Sequence, residues 1–309
     1  MTWLVALMYA TWSSVFTFGK VMLNFSTPLF LTATRMLVAG VILYAYLALR
    51  KRSEFKLNKR QWASIGLLAL FSIFLTNILE FWGLQYLTAA KTCFIYSLSP
   101  FLAALFSYIH FKEKMTRGKW LGLLIGFLGM IPVFMTQSGS EELLNAFAFF
   151  SWPTLAIIGA ALASVYGWVI LRLVVKDNEV SPAMANGSSM LIGGALSLIS
   201  SFFIDTWNPL PIAKGGTAPF ISGVLGMSLL YNIICYNLYG KLLKKFTATF
   251  ISFMGLLSPI FASLTSWLFL KEPLSWQIFA STGIVCIGLW IVYREELKQG
   301  YFRTARGSQ

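Results

Sequence analysis

One acidic side chain set inside an apolar run is the most chemically pointed feature of this 309-residue sequence. Glu80 is the only charge between residues 61 and 82, and Asn77 and Gln85 flank it. A lone charge at membrane depth costs at least ~2.5 kcal/mol on insertion scales, so it must pair, reach water or take up a proton. Arg35, two turns into another apolar run, and Lys91 are the candidate partners. A carboxylate there can hold a cationic group or carry a proton. A guanidinium there can clamp a carboxylate or phosphate. Each also has a bland reading: Glu80 meets water near Trp82 at the interface, and Arg35 snorkels outward. Lys20 and Lys91 read as interfacial.

Aromatic and small polar residues interleave in the same runs. Trp12 with Ser13 and Ser14, Tyr96 with Ser97 and Ser99, Trp168 near Tyr166, and Tyr231 with Asn232, Tyr236 and Asn237 all fall at mid-run. Interfacial belts account for many membrane Trp and Tyr residues. At mid-run they read better as a cavity lining, where aromatic faces stack on planar or cationic ligands. Trp12, Tyr96, Trp168 and Tyr231 are therefore candidate substrate-binding residues beside Glu80 and Arg35. Pro100 and Pro259 each remove an amide donor in an apolar run, freeing carbonyls at membrane depth. They read as a pair of hinges, against the plainer alternative of packed kinks.

The residue types needed for other chemistries are scarce. His110 is the only histidine, and Cys93, Cys235 and Cys286 lie in apolar runs without CxxC spacing. They read as packing residues, and no metal site is expected. No phosphate-binding glycine loop or nucleophile elbow occurs, so no cofactor and no ATP-driven step are expected. A membrane enzyme would need a recognisable acid, base or nucleophile near the interface, and the sequence offers little to supply one.

The elements that must position these residues follow from composition. The chain is 57% hydrophobic and 11% charged, with a mean hydropathy of +0.72; a soluble domain carries roughly 25% charged residues. Apolar runs fall at about 3–23, 29–49, 61–82, 88–111, 117–136, 151–171, 182–204, 217–240, 246–270 and 274–293. Backbone groups in lipid must be paired internally, so each run is a helix. This predicts an all-α membrane protein of ten transmembrane helices. The first run lacks a basic leader and a cleavage motif and reads as a retained span.

The net charge of +13 is concentrated in a few connections: Arg50, Lys51, Arg52, Lys56, Lys59 and Arg60; Lys112, Lys114, Arg117 and Lys119; Arg172 and Lys176; Lys241, Lys244 and Lys245; and Arg294, Lys298, Arg303 and Arg306. The opposite side carries Lys20, Lys91, Lys214 and Lys271, and its longest early loop holds Glu141 and Glu142. The positive-inside bias then places both termini in the cytoplasm, with the lipid bilayer rather than nucleic acid as partner. A homodimer is left open.

Residues 88–129 recur at 247–288 without a gap. Thr88-Ala89 returns as Thr247-Ala248, Leu98-Ser99-Pro100 as Leu257-Ser258-Pro259, Lys112-Glu113 as Lys271-Glu272, and Gly129 as Gly288. Arg35-Met36 up to Gly40 matches Met190 up to Gly193-Gly194 more weakly, and Trp12 lies near Gly167-Trp168 in the same scheme. The repeat unit is five helices, so the second copy is inverted relative to the first. The halves are 1–138 and 150–309, joined by the polar segment 137–150. A duplicated, inverted membrane unit is the mark of a secondary transporter working by alternating access about a central site. A channel has no need of two copies that exchange roles. Glu113 and Glu272 read as helix-end residues tying each turn to the next helix, and the glycines of spans five and ten as close-packing faces.

With those motifs in view, the chain resembles the drug/metabolite transporter superfamily in its ten-helix branch of EamA-type repeats. The resemblance rests on Phe111-Lys112-Glu113-Lys114-Met115-Thr116 with Gly122, Gly126 and Gly129, and on Leu270-Lys271-Glu272-Pro273-Leu274-Ser275 with Gly283 and Gly288. It implies a bacterial inner-membrane carrier of a small organic metabolite. Three stretches, Leu79–Trp82, Ala89–Pro100 and Ala185–Met190, are similar to a branch from bacteria that live inside other cells. That branch includes carriers that import S-adenosylmethionine in exchange for S-adenosylhomocysteine. An exporter of amino acids, drugs or metabolites would suit the same residues.

Overall fold

The computed structural model describes residues 2–111, 115–134, 151–177, 180–243, 255, 258–274 and 276–298. Several sequence expectations lie outside the described residues: Lys112, Glu113, Lys114, Glu141, Glu142, Lys244, Lys245, Thr247, Ala248, Leu257, Ser275, Arg303, Arg306 and the connecting segment 137–150.

Among the described residues the chain forms ten longer helical runs, with a short 3-10 turn, Arg52–Phe55, between the second and third. They are α1 (Thr2–Met22), α2 (Pro28–Arg50), α3 (Lys59–Leu84), α4 (89–111), α5 (Arg117–Phe134), α6 (Trp152–Val175), α7 (Pro182–Ile204), α8 (Thr217–Leu242), α9 (Ser258–Leu270) and α10 (Trp276–Lys298). Seven are long and apolar enough to cross a membrane: α1, α2, α3, α6, α7, α8 and α10. The helix starts are written in the sequence. Thr27 and Ser181 cap α2 and α7, each followed by proline, which suits a first-turn position whose amide would be unpaired anyway. Asn58 and Gln61 close a capping box at α3, and Thr88 caps α4 by accepting from the Lys91 amide.

Helix ends repeat through the chain. Adding 154 to the ends of α2 gives 182 and 204, the ends of α7. Adding 159 to Ser99 and Phe111 gives 258 and 270, the ends of α9. Two π-helical stretches obey the same shift. Ala69–Leu75 lies within α3 and Ser228–Cys235 within α8, and 69 displaced by 159 is 228. Such stretches are rare and are often found at functional sites. In α3 the local cause is visible: Thr76 Oγ1 donates to the Phe71 carbonyl at 2.7 Å, and Asn77 Nδ2 donates to the carbonyls of Ser72 and Ile73 at 3.3 and 2.7 Å. Side chains thereby occupy carbonyls of the altered register.

Packing pairs the corresponding helices: α2 lies along α7, and α5 along α10. Gly40 abuts Leu191 while Gly194 abuts Leu37, and Gly126 abuts Gly288 while Gly129 abuts Ile284 and Val285. A methyl group on Gly122 would come within 2.5 Å of the Gly288 carbonyl oxygen, so α5 and α10 meet backbone to backbone. Large apolar side chains such as Phe203, Leu225, Ile234 and Trp290 are exposed on the outer surface, as lipid contact requires.

Candidate functional site

A cavity at the centre of the bundle gathers residues from both halves: Tyr9, Trp12, Ser13 and Phe16 of α1, Arg35 of α2, Asn77 and Glu80 of α3, Cys93, Tyr96 and Ser97 of α4, Ser164, Trp168 and Arg172 of α6, Tyr231, Asn232, Tyr236 and Tyr239 of α8, and Ser258 of α9. All six binding residues expected from sequence, Trp12, Arg35, Glu80, Tyr96, Trp168 and Tyr231, line it.

Arg35 is 3% exposed and Glu80 7%, so both side chains are turned into the bundle. Arg35 Nη2 donates to Asn77 Oδ1, and the guanidinium stands 4.6 Å from the Phe81 ring centroid. Its backbone carbonyl accepts from Ser228 Oγ at 2.9 Å and from Asn232 Nδ2 at 3.4 Å. Glu80 Oε2 accepts from the Tyr96 hydroxyl at 2.6 Å. No ion pair joins Arg35 and Glu80, although the two are close enough to attract each other. Each is held by a neutral neighbour instead. Arg35 Nε, Asn232 Oδ1 and Ser97 Oγ are buried and make no hydrogen bond within the chain. The cavity thus presents a cationic group, a carboxylate and several free polar atoms to one volume.

Its wall is aromatic. Trp12 and Trp168 meet edge to face at 5.4 Å between centroids; Tyr236 lies 5.3 Å from Trp12, and Tyr239 4.3 Å from Trp168. Tyr231 stands apart, its hydroxyl 2.8 Å from Ser14 Oγ. Tyr9, Tyr239 and Arg172 escaped the sequence reading. The signal for Tyr9 was available, because Tyr9, Trp12 and Phe16 share one helical face. The signal for Tyr239 was available too, because it follows Tyr236 at i+3 on an α-helical segment, and Arg172 reads from sequence as a loop charge.

Other expectations need correction. Pro100 does not sit inside an unbroken α-helix: within α4 a 3-10 turn, Tyr96–Leu98, comes immediately before Ser99–Phe111. Proline clashes with the carbonyl four residues back, so the preceding turn tightens rather than continuing as α-helix. Pro259 is the second residue of α9, and residues 256–257 before it lie outside the described residues. Ser99 and Ser258, beside the two prolines, line the cavity. Lys91 is 2% exposed and engaged within the fold rather than turned outward. Glu272, expected to tie its turn to the next helix, reaches Lys20 of α1 and the Ala89 amide of α4 among the described residues.

This architecture has known relatives. The EamA-like transporter family matches the chain twice, over residues 1–135 and 151–294. The chain belongs to that family. It is a multi-pass helical membrane transporter, and membership sets it with carriers rather than with membrane enzymes. It is 38% identical over 291 residues to the S-adenosylmethionine/S-adenosylhomocysteine transporter of Chlamydia muridarum, covering 94% of this chain and 90% of the relative. The protein of the same name from Chlamydia trachomatis serovar D is 38% identical over 295 residues, covering 95% and 89%. An uncharacterized transporter of Bacillus subtilis, YvbV, is 25% identical over 293 residues, covering 94% and 90%. One crystal structure superposes with a TM-score of 0.69 at 16% identity, covering 96% of this chain and 97% of that one; it supports the fold alone.

Proposed function

We propose that this EamA-family transporter imports S-adenosylmethionine in exchange for S-adenosylhomocysteine across the bacterial inner membrane, by alternating access, with both termini in the cytoplasm. The observation that carries the reading is the cavity in which Arg35 and Glu80, with no ion pair between them, stand beside an aromatic wall. Both ligands end in an α-amino acid, whose carboxylate suits Arg35 and whose ammonium suits Glu80. Both carry adenine, which stacks on Trp or Tyr, and a sulfonium adds a cation that aromatic faces attract. The named chlamydial relatives point the same way.

Alternation needs two halves that can exchange roles, 1–138 and 150–309, inverted with respect to each other. Support comes from the shared helix ends, from the π-helical stretches at corresponding positions, and from the reciprocal contacts of Gly40 with Leu191 and Gly194 with Leu37. Reciprocal contact of equivalent residues is the mark of a two-fold relation. Asn77 displaced by 159 is Tyr236, and these two residues interact across the cavity. A site on the axis between inverted repeats is the expected place for cargo.

The test is exchange in proteoliposomes. Labelled S-adenosylmethionine uptake should saturate and should accelerate when S-adenosylhomocysteine is loaded inside. Non-saturating flux would point to a channel. Uptake of amino acids without S-adenosylmethionine would return the cavity to the amino acid carriers of the fold.

A further inference from the structure

The cavity lining runs from Arg172 of α6 and Tyr239 of α8, near the ends of those helices, to Phe16 of α1, Glu80 of α3 and Cys93 of α4, on the side where α1 finishes and α4 begins. Between the cavity and that end the chain is solid. Phe16, Phe81, Leu84, Ala89 and Ala262 are buried in one apolar cluster, and Gly19 lets α1 come down on Phe81, where even a methyl group would lie 2.6 Å from the ring. Thr17 and Thr265 join α1 to α9 through their hydroxyls at 3.0 Å.

Above this plug sits a polar cluster that the transport reading does not use. Lys20 Nζ donates to Glu272 Oε1 at 2.8 Å and to the Leu87 carbonyl at 2.5 Å. The other Glu272 oxygen accepts from the Ala89 amide at 3.1 Å, at the start of α4. The Lys20 and Glu272 side chains are 23% and 12% exposed, so the pair is largely shielded from water. One carboxylate therefore holds together the last turn of α1, the first turn of α4 and the turn after α9. A helix N-terminus favours a negative group by its partial positive charge. The turn is itself strained. Lys271, immediately before Glu272, has φ +57°, the only non-glycine residue with positive φ among the described residues. A non-glycine side chain in that region costs of order 1 kcal/mol and persists where surrounding contacts hold it, often at switch sites.

We propose that Glu272, with Lys20 and the Ala89 amide, is the latch that keeps this end of the transporter closed while the cavity faces the other way. This rests on the alternating-access reading; by the positive-inside assignment the latched end is the outer one. The pieces are built to part together. Opening requires α1 to leave α9 and α4, and that breaks the Lys20 bond to Glu272, the Lys20 bond to Leu87 and the Thr17–Thr265 contact in one movement. Glu272 then acts on transport without touching cargo, as a positioning residue.

The test reads access to the cavity rather than substrate chemistry. Ser13→Cys places a thiol in the cavity lining, and a membrane-impermeant thiol reagent is applied to right-side-out and inverted vesicles, with the parent protein as background. In Glu272→Gln and Lys20→Met, labelling from the latched end should rise about ten-fold, the worth of one charge-assisted hydrogen bond, and labelling from the other end should fall. The exchanged pair Lys20→Glu with Glu272→Lys should recover part of the closure, because the ion pair returns but a lysine cannot accept from the Ala89 amide. Labelling that is the same in all variants, or raised equally from both ends, overturns the latch. Thermal stability in detergent is measured alongside; a fall in stability with unchanged sidedness makes the cluster a structural clasp and also overturns it. Ser13→Cys labelling needs no cargo, so a wrong substrate assignment leaves this result standing.

Discussion

Replacing Glu80 by Gln asks what the embedded carboxylate does, because Gln keeps its shape and removes its charge. The Tyr96 hydroxyl, 2.6 Å from Oε2, can still donate to the amide oxygen. A hydrogen bond to a charged group is worth about 1.5–3 kcal/mol and a neutral one about 0.5–1.5 kcal/mol. The fold thus gives up roughly 1 kcal/mol and regains the cost of burying a charge, leaving stability close to the parent. Binding is different. A ligand cation at ~5 Å interacts with the carboxylate by about 3 kcal/mol at an effective dielectric near 20, and by under 1 kcal/mol if the cavity is as wet as bulk water. Affinity should therefore fall by between a few-fold and about 200-fold. Ligand-induced thermal shifts of purified protein, titrated with S-adenosylmethionine and S-adenosylhomocysteine, resolve this range. Equal losses for both assign Glu80 to the ammonium they share, and a loss confined to S-adenosylmethionine assigns it to the sulfonium. Unchanged affinity for both would refute the argument and return Glu80 to a structural bond with Tyr96.

Gly122→Ala and Gly288→Ala each drive a methyl group into facing backbone, at 2.5 and 2.6 Å from carbonyl oxygens. Either should lower stability by about 1–3 kcal/mol, read as a lower melting temperature in detergent with ligand affinity retained. Pro100→Ala and Pro259→Ala should slow exchange turnover several-fold while leaving KM within about two-fold; parent rates would remove the hinge role. S-adenosylmethionine carries one more positive charge than S-adenosylhomocysteine, so one-for-one exchange moves one elementary charge. A potential of 100 mV, negative inside, should then favour accumulation by about 2.3 kcal/mol, roughly 50-fold. A potassium–valinomycin gradient in proteoliposomes checks this, and voltage-independent accumulation would exclude simple one-for-one exchange of these two species.

Much of this architecture was legible because lipid imposes strict rules. Helix positions follow from apolar runs of sufficient length, and caps such as Thr27-Pro28 and Ser181-Pro182 mark their starts. The candidate site was legible for a related reason: an embedded Glu80 or Arg35 needs a polar place to go. The failures came where register or partner choice depends on tertiary contact. Nothing local in Ser228–Cys235 announces a π-helix, so the register that links Tyr231 to Tyr236 is not legible. Lys91 looked interfacial because its position near a span end is a matter of sequence distance, whereas its burial is set by the helices packed around it. Glu272 could be assigned to a turn but not to Lys20, which is 252 positions away.

The proposed two-fold relation carries one more consequence, and it can be measured. Interfaces between equivalent helices, α2 with α7 and α5 with α10, map onto themselves when the halves exchange roles. They can stay fixed through the cycle, which suits their glycine-mediated backbone contact. The interface of α1 with α9 maps instead onto that of α6 with α4, so these two are the ones that must alternate. Register makes this specific. Trp12 corresponds to Trp168, which carries Thr17 onto Leu173, and the 159-residue shift carries Thr265 onto Phe106. By sequence the same shifts carry the latch pair Lys20 and Glu272 onto Lys176 and Glu113, the same residue types. Spin labels at 17 and 265, joined now by a 3.0 Å hydroxyl contact, should move apart as labels at 106 and 173 approach, with a pair across α5 and α10 unchanged. Both distances growing together, or the α5–α10 pair moving as much as the others, would mean the halves do not exchange conformations, and alternation about the central cavity would lose its physical basis.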